Sequence, residues 1–274
     1  MNQKMGNSFL WLLSILTVGI HLVASAMGGY GIFRDELYYI ACAHHPDIGY
    51  VDHPPLSIWL LATWKSFFGE SLFSIRFITA MFSGLTTFMV GRIARGFGGG
   101  TYALVLACIA SMLAPILLAF FGLFSMNAFD VFLWALATFI VQQIAVSLQT
   151  RYWYWLGIVI GLGSLNKISM FWLGAGIVCG VLCTPNRTAL RSITPWLAGC
   201  LAIVLFMPFV IWNITHDFAH LEFIRNASTE KYSSQNPVTF FTGLVMLMNP
   251  LAAPLWLAGF WFLVRQKAHR IIGI

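Results

Sequence analysis

Charged side chains are scarce in this sequence: Asp, Glu, Lys and Arg occupy only 9% of its 274 positions, against 59% apolar residues and a mean hydropathy of +0.81. A soluble domain of this length cannot bury so much apolar surface around one core, so the composition excludes that class. A membrane-spanning helix needs roughly 20 apolar residues. The sequence therefore predicts an all-α, polytopic membrane helix bundle, one domain over residues 1–274, with about eight spans: Phe9–Met27, Phe77–Val90, Ala103–Phe121, Phe129–Val146, Tyr154–Leu165, Met170–Cys183, Trp196–Trp212 and Phe240–Val264.

Nucleotide-binding and metal-binding motifs are also absent. The chain has no G-x-x-x-x-G-K-[ST] loop, no Rossmann glycine fingerprint, no H-E-x-x-H pair, and no Asp-x-Asp pair of the kind that holds a metal on a nucleotide sugar. Its five cysteines are scattered and odd in number, which gives no disulfide framework. These absences argue against a soluble nucleotide donor. An activated group used by this chain would instead arrive on a membrane lipid.

The few charges that are present are unevenly distributed. If the N-terminus is cytoplasmic and the spans alternate, the inner ends carry nine basic residues and no acid: Lys4, Arg92, Arg95, Arg151, Arg187, Arg191, Arg265, Lys267 and Arg270. The outer face then receives the other six basic residues and all nine acids. An excess of Lys and Arg on one side is the positive-inside pattern, so we expect both termini in the cytoplasm. The net charge of +6 reflects this topology and not nucleic-acid binding.

The first outer loop concentrates the polar residues. Its segment FRDELYYIACAHHPDIGYVDHPPLSIWL, residues 33–60, contains four acids and three histidines. Four apolar residues recur there at helical spacing and predict an amphipathic helix on the membrane surface: Phe33, Leu37, Ile40 and Ala41. We expect Asp35, Tyr38 and Tyr39 to turn away from that apolar face. After the proline pair, Leu56–Phe68 is predicted as a second interfacial helix, so the acids lie at the bilayer interface.

Asp35 and Glu36 are the candidate catalytic residues of this loop. A carboxylate partly desolvated between apolar helices can act as a general base toward an acceptor hydroxyl or amine. Adjacent residues on a helix point about 100° apart, so the two acids cannot serve one reacting atom in the same way. One would be the base and the other a positioning or ion-pairing group. The alternative is that the pair only caps and solvates a surface helix.

Other ionisable residues are candidates for substrate binding, because charge at membrane depth is costly and is usually functional. Asp52 and His53 immediately precede the stiff proline pair, Asp130 stands at the outer mouth of the fourth span, and Lys167 lies between two short spans. In the alternative reading, Lys167 snorkels at a helix end and Asp130 caps its helix. The predicted convergence of these groups on one face favours a site.

These segments carry a resemblance. They are, in chain order, RDELYYIACA, GYVDHPPLSIWL, FGESLFSIRF, Asp130, GLGSLNK ending at Lys167, PFVIWNITHDF and MLMNPLAAPLWLAGFWFLV. Together these segments resemble the family 39 glycosyltransferases, which are bacterial relatives of protein O-mannosyltransferases and lipid A aminoarabinose transferases. The resemblance covers nearly the whole chain. It implies a GT-C fold in a bacterial inner membrane and a polyprenyl-phosphate-linked sugar donor. It also implies inverting transfer on the periplasmic face to a lipid, glycan or protein acceptor.

The resemblance also suggests residue roles. It puts Asp35 in the family's base position and Arg76 at the opening of the next span, while His53 stands where lysine is usual. As the acceptor attacks, a basic group would stabilise the leaving lipid phosphate. Lys167 is the first candidate for this role, and Arg76 or His53 is the second. Three acids would orient sugar hydroxyls or these cations: Glu36, Asp52 and Asp130. The chain is expected to be C-terminally short relative to the family.

Three alternatives stay open at this point. No cofactor is required, but a divalent ion bridged by Asp52 and His216 is conceivable, because carboxylates and a neutral imidazole suit zinc or manganese. An ion-coupled transporter would also place Asp and Lys pairs inside a membrane. A catalytically inactive, truncated relative is the third. Membrane lipids are expected partners in each case, and nucleic acid in none.

Overall fold

The computed structural model describes residues 3–147, 149–231, 236–266 and 272. Within these ranges there is no strand, so the predicted all-α class is confirmed. The α-helices are α1 Gln3–Met27, α2 Arg34–His44, α3 Leu56–Phe68, α4 Leu72–Gly96, α5 Thr101–Met112, α6 Pro115–Gly122, α7 Met126–Ser147, α8 Arg151–Asn166, α9 Met170–Leu182, α10 Thr194–Thr215, α11 Ala219–Asn226, α12 Pro237–Leu247 and α13 Ala253–Arg265. Short 3-10 turns at Pro185–Arg191 and Pro250–Ala252 and a π turn at Ala227–Lys231 join them.

Four helices of the described chain are long and apolar enough to cross a membrane: Asn7–Met27 within α1, and α4, α7 and α10. Two further pairs are bent, α5 with α6 by 64° and α12 with the segment Pro250–Arg265 by 92°, so the count is four, or six if each pair is one span. A polytopic bundle is thereby confirmed. The predicted spans Ala103–Phe121 and Phe240–Val264 each contain a break, because Pro115 and Pro250 interrupt the helical hydrogen-bond ladder, and whether each pair crosses as one span stays open.

Helices α8 and α9 are shorter than full spans. They contain 16 and 13 residues, below the roughly 20 that cross the hydrocarbon layer. The predicted number of eight spans is therefore not established by helix length. Orientation was inferred from an alternation of eight, so the side on which each end lies stays a prediction.

The two bent pairs meet at their breaks. The Asn249 side chain donates from Nδ2 to the Leu113 carbonyl at 3.2 Å, and its Oδ1 accepts from the Leu251 amide at 3.0 Å. Asn249 itself has a positive φ of 71°, a conformation that asparagine tolerates better than most residues. Backbone groups freed by a break inside a membrane need such partners, because no water is present to satisfy them.

Helices α8 and α10 pack closely through small residues. A Cβ added to Gly157 would lie 2.4 Å from the Ala198 carbonyl oxygen, and one added to Gly161 would lie 2.8 Å from the Leu205 Cβ. Glycine at both positions therefore lets the two backbones approach, as small residues do in membrane helix pairs. This contact holds α8 in register with α10, which sets the position of Lys167 at the end of α8.

The bundle has two chemically different ends. The acidic end contains the first loop, the start of α4, the start of α7 and the end of α10, together with the described acids. The basic end contains six arginines and, among the described side chains, no acid: Arg92, Arg95, Arg151, Arg187, Arg191 and Arg265. This matches the predicted segregation of charge. Lys4, Lys267 and Arg270, predicted at this end, and Lys231, predicted at the opposite one, fall outside the side chains that the structure describes.

Candidate active site

The first loop folds into two helices, α2 and α3, where they were predicted. The Glu36 carboxylate accepts from the Phe33 amide at 2.9 Å, which satisfies one of the free amides at the start of α2. Leu37 and Ala41 of the predicted membrane face are exposed, whereas Ile40 of the same predicted face is buried. The protein-facing side of α2 is formed by Glu36, Tyr39, Ile40, Cys42 and Ala43. Tyr39 is drawn inward by the contacts that it makes with His53 and α7.

Glu36 is 0% exposed and pairs with Arg76 of α4, which is 4% exposed. Its Oε1 accepts from Arg76 Nε and from the Phe124 amide, each at 2.9 Å, and its Oε2 accepts from Arg76 Nη2 at 2.7 Å and from the Phe33 amide. Burial by itself would raise the pKa of Glu36, but hydrogen bonds from Arg76, Phe124 and Phe33 hold that pKa below its usual value. The pair ties α2 to α4 and to the segment before α7.

The positions found for Glu36 and Arg76 differ from those expected beside a sugar and a leaving phosphate. Arg76 donates to the carbonyl oxygens of Tyr30 and Gly31 as well as to Glu36, so the guanidinium is directed at protein acceptors. A carboxylate held in its ionised form by several donors is a weak base. The geometry therefore favours a structural role for both residues.

Asp35 lies on the exposed side of α2. Its side chain is 51% exposed, and Arg34 Nε lies 3.3 Å from its Oδ1. Arg34 is still more exposed, and such surface pairs contribute little, so Asp35 can exchange this partner. Burial raises the pKa of Tyr39, and the nearby carboxylates of Asp52 and Asp35 raise it further. Asp35 is thus an accessible carboxylate close to the other first-loop polar groups.

Asp52 and His53 lie beneath α2. Asp52 accepts a hydrogen bond from the Tyr38 hydroxyl at 2.7 Å. Burial is the larger cause, and this hydrogen bond the next, that raises the pKa of Tyr38 far above its usual range. His53 is 1% exposed, stacks on Tyr39 with centroids 5.1 Å apart, and has Nε2 3.8 Å from Asp52 Oδ1. Its Nδ1 lies 2.9 Å from the Pro54 carbonyl. His53 therefore points inward among aromatic rings, whereas we expected it to project from the proline corner.

His220 of α11 joins this group, although no pattern in the sequence indicated it. Its Nδ1 lies 2.8 Å from the Val51 carbonyl. Burial lowers the pKa of His220, opposed by the hydrogen bond to Val51 and by the charge of Asp52. The Nε2 atoms of His220 and His53 are both buried without a hydrogen-bond partner in the described chain. Each is a free acceptor in the neutral ring, suited to a hydroxyl donor.

Asp130 and Lys167 meet at the start of α7. Lys167 follows the last residue of α8, and its Nζ donates to Asn127 Oδ1 at 2.7 Å and lies 3.9 Å from Asp130 Oδ2. The Ser169 hydroxyl lies 3.0 and 3.1 Å from the two oxygens of Asp130. Lys167 is 29% exposed, so its ammonium still reaches the surface of the cluster. A cation held loosely by an amide and a distant carboxylate can take a further anionic partner.

Tyr39 connects the first loop with the Lys167 cluster. Its hydroxyl accepts from the Met126 amide at 3.3 Å, while the Met126 carbonyl accepts from Asn166 Nδ2 at 2.9 Å. Met126 immediately precedes Asn127, and Asn166 immediately precedes Lys167. The first-loop groups and the Lys167 cluster are therefore joined at the start of α7, on the acidic end.

His216 lies at the end of α10 and makes no ion pair with Asp52. Its ring stacks on Trp212 at 4.2 Å, and its Nδ1 lies 2.8 Å from the Trp212 carbonyl. Trp212 in turn donates from Nε1 to Asp47 Oδ2 at 3.2 Å, which joins α10 to the first loop. In the described part of the chain no three His, Cys, Asp or Glu side chains come together as a metal site. The donor set expected on Asp52 and His216 is not assembled there, and we derive no step through a metal.

Sequence reasoning missed several polar residues of the site: Asn127, Asn166, Ser169 and His220. A signal was available for the first three, because each is a polar residue at the end of an apolar run and within three positions of Asp130 or Lys167. His220 gives no such signal. Its contact with Val51 spans 169 positions, which only the fold reveals.

Fold and site together define a class: a multi-pass helical membrane protein whose acids and a lysine gather at one end of the bundle. The protein family described as dolichyl-phosphate-mannose-protein mannosyltransferase matches residues 52–212, more than half of the chain. The chain belongs to this family of membrane glycosyltransferases. The resemblance and the GT-C assignment made from the sequence are thereby confirmed.

One curated relative adds detail. The lipid A galacturonosyltransferase RgtD of Rhizobium johnstonii is 23% identical over 240 residues, which are 82% of this chain and 48% of that protein. The chain thus spans about half the length of the curated relative it matches. No solved structure matches it.

Proposed function

We propose that this chain carries the site of a membrane glycosyltransferase that moves a sugar from a polyprenyl-phosphate donor to an acceptor at the acidic end of the bundle. The observation that carries the proposal is the contrast between two adjacent acids. Glu36 is held by Arg76 and two backbone amides, whereas Asp35 is half-exposed. Family membership supports sugar transfer, and the relative's name makes a lipid acceptor a natural choice.

The proposed reaction is a single displacement at the anomeric carbon. The acceptor oxygen or nitrogen attacks that carbon and loses its proton to the Asp35 carboxylate. The bond between the anomeric carbon and the phosphate oxygen breaks, its electron pair leaves with the lipid phosphate, and the configuration inverts. One base suffices, because no covalent sugar intermediate forms. General-base catalysis of this kind typically contributes about 10² to 10⁴ in rate.

Lys167 is the proposed electrostatic partner of the leaving phosphate. Its ammonium is partly exposed and lies 3.9 Å from Asp130, so it can approach an anion without breaking a close ion pair. A fixed cation contributes most where negative charge develops in the transition state. Asp52, whose side chain is partly exposed, would accept hydrogen bonds from sugar hydroxyls, and the buried rings of His53 and His220 would support its loop. We propose that the acidic end is periplasmic, with both termini cytoplasmic, in a bacterial inner membrane.

Substitution of Asp35 tests the base assignment. In the complete gene product, Asp35→Asn keeps size and hydrogen bonding but removes basicity, so we expect transfer to fall by about 10² to 10⁴ while donor binding persists. The measurement is release of polyprenyl phosphate from a panel of labelled polyprenyl-phosphate sugars, in protein reconstituted into lipid vesicles.

Asp217→Asn is the matched control for this test. Asp217 is also exposed near the acidic end, and its φ of 52° suits asparagine, so this substitution makes the same chemical change without strain. We expect it to transfer sugar at the wild-type rate. If Asp35→Asn also does so, the base assignment is wrong and Asp52 becomes the carboxylate to test.

A further inference from the structure

A groove runs between α8, α9 and α10 and opens at the basic end of the bundle. Its volume is about 470 Å³, and its lining is almost entirely apolar, with Trp153, Val178, Leu182, Leu190, Trp196 and Ile203 among its walls. We call it the arginine groove, after the residues at its mouth. A smaller cavity of about 150 Å³ shares part of this lining and continues it toward Gly174 and Ala202. Several wall residues are exposed, so the groove faces the surroundings of the bundle.

Three exposed arginines flank the mouth of the arginine groove. Arg151 starts α8, two residues before Trp153, and Arg187 and Arg191 belong to the turn that contains Leu190. Among the described residues none of the three pairs with a carboxylate. The Trp196 indole donates to the Leu190 carbonyl at 3.0 Å, which fixes this turn against the start of α10. The mouth therefore presents unpaired positive charge beside an apolar slot.

The chemistry of the groove favours a chain of lipid over a helix of protein. From Gly174 to Leu182 the wall of α9 rises roughly 12 Å at 1.5 Å per residue, about the depth of one leaflet. An extended acyl chain suits a slot that is apolar along this depth, and an anionic headgroup would meet the arginines at its mouth. Basic pockets between membrane helices are suited to such lipids.

We propose that the arginine groove binds an anionic phospholipid, with an acyl chain between α9 and α10 and the phosphate headgroup on Arg187 and Arg191. This inference rests on the shape and charge of the basic end and is independent of sugar transfer at the acidic end. It also does not depend on which leaflet the basic end occupies, because the ligand is recognised by its charge and its chain.

The experiment is a lipid titration of the complete protein in detergent, read by native mass spectrometry. Phosphatidylglycerol and phosphatidylcholine with the same acyl chains are the probes. A basic residue near a lipid headgroup contributes about fivefold in affinity, so two arginines predict a preference for phosphatidylglycerol of roughly 25-fold. Arg187→Gln with Arg191→Gln should remove most of that preference.

A matched double variant controls for net charge. Arg92→Gln with Arg95→Gln removes the same charge at the same end, but neither residue belongs to the turn at the mouth of the groove: Arg92 lies over the Phe139 ring and Arg95 donates to Asn7. We expect this variant to keep the preference. Gly199→Leu tests the slot itself: Gly199 lines the groove, and an added Cβ meets nothing within 4 Å, so a larger side chain can start there and extend into the groove. It should weaken both lipids.

The outcomes separate clearly. Equal retention of the two lipids by wild-type protein would overturn the proposal, as would loss of preference in both double variants alike. Unchanged binding in Gly199→Leu would show that lipid meets the arginines without entering the groove, and would overturn it too. A dimer that excludes lipid would identify a second copy as the occupant. If the variant with both arginines replaced does not fold, two measurements still test the proposal: the affinities of wild-type protein for the two lipids, and the lipid binding of Gly199→Leu.

Discussion

Glu36→Gln is expected to destabilise the fold strongly, although it changes one oxygen to an NH2 group. Each carboxylate oxygen of Glu36 accepts two hydrogen bonds, one from Arg76 and one from a backbone amide. A glutamine has only one acceptor oxygen, so either orientation of the amide leaves two donors without an acceptor. The buried Arg76 would also lose its counter-charge.

The size of the effect follows from these losses. Removing one partner from a buried ion pair typically costs about 3–5 kcal/mol, because the other charge stays buried and uncompensated. Each broken hydrogen bond to a charged group contributes about 1.5–3 kcal/mol, so two broken bonds give about 3–6 kcal/mol, which agrees with that figure. In a protein of this size that corresponds to a decrease of roughly ten degrees in the unfolding midpoint.

The assay is thermal unfolding in detergent, followed by the fluorescence of the 11 tryptophans. Glu70→Gln is the control, because it makes the same change in a carboxylate that is exposed to water, although its partner Lys65, at 2.6 Å, is largely buried. A midpoint for Glu36→Gln no lower than that of Glu70→Gln would refute the structural role of the buried pair.

The pH dependence of stability provides a second test of the same pair. The folded-state pKa of Glu36 lies below its ordinary value of 4.5, so its contribution is fully present above that value and is lost as pH falls through the folded pKa. Wild-type protein should therefore lose stability below about pH 4.5 more steeply than Glu36→Gln, which has no carboxyl to titrate. Parallel curves for the two proteins would contradict this assignment.

Two further predictions concern the site and its orientation. Lys167→Met should lower turnover by more than it weakens binding of the unreacted lipid donor, because the phosphate charge is largest in the transition state; equal losses in both would leave Lys167 as a donor anchor only. In a cysteine-free background, His45→Cys at the acidic end should react with a membrane-impermeant maleimide in intact cells. Thr188→Cys at the basic end should react only after the cells are permeabilised. The reverse pattern would invert the proposed topology.

Much of the architecture was predictable because it depends on local pattern. Apolar runs identified the membrane helices, and the proline pair with its flanking periodicity identified α2 and α3. The bends at Pro115 and Pro250 were missed, although proline inside an apolar run is a recognised break signal. Hydropathy averages over such a break, because it measures composition and not the direction of the helix axis.

The site was predictable only as a set of residue types. The sequence indicated the importance of Glu36 and Arg76, and it suggested that one acid of the pair forms an ion pair. It did not identify the partner, since the two residues are 40 positions apart and Arg76 was expected at a phosphate. The inward position of His53 was likewise hidden, because it depends on the Tyr39 ring and on the turn at Pro54. Burial of a polar residue in a membrane protein is decided by tertiary contacts.

The contrast between Asp35 and Glu36 suggests why two acids stand side by side. The helical twist turns one carboxylate into the protein and leaves its neighbour outside. The inward acid fixes α2 through Arg76 of α4 and the amide of Phe124 before α7, so it anchors the helix at two separate elements. The outward acid then inherits a fixed position, and its oxygens carry only the exposed, exchangeable contact with Arg34. A general base needs both conditions, since catalysis depends on placement to within a fraction of an ångström and on a free lone pair.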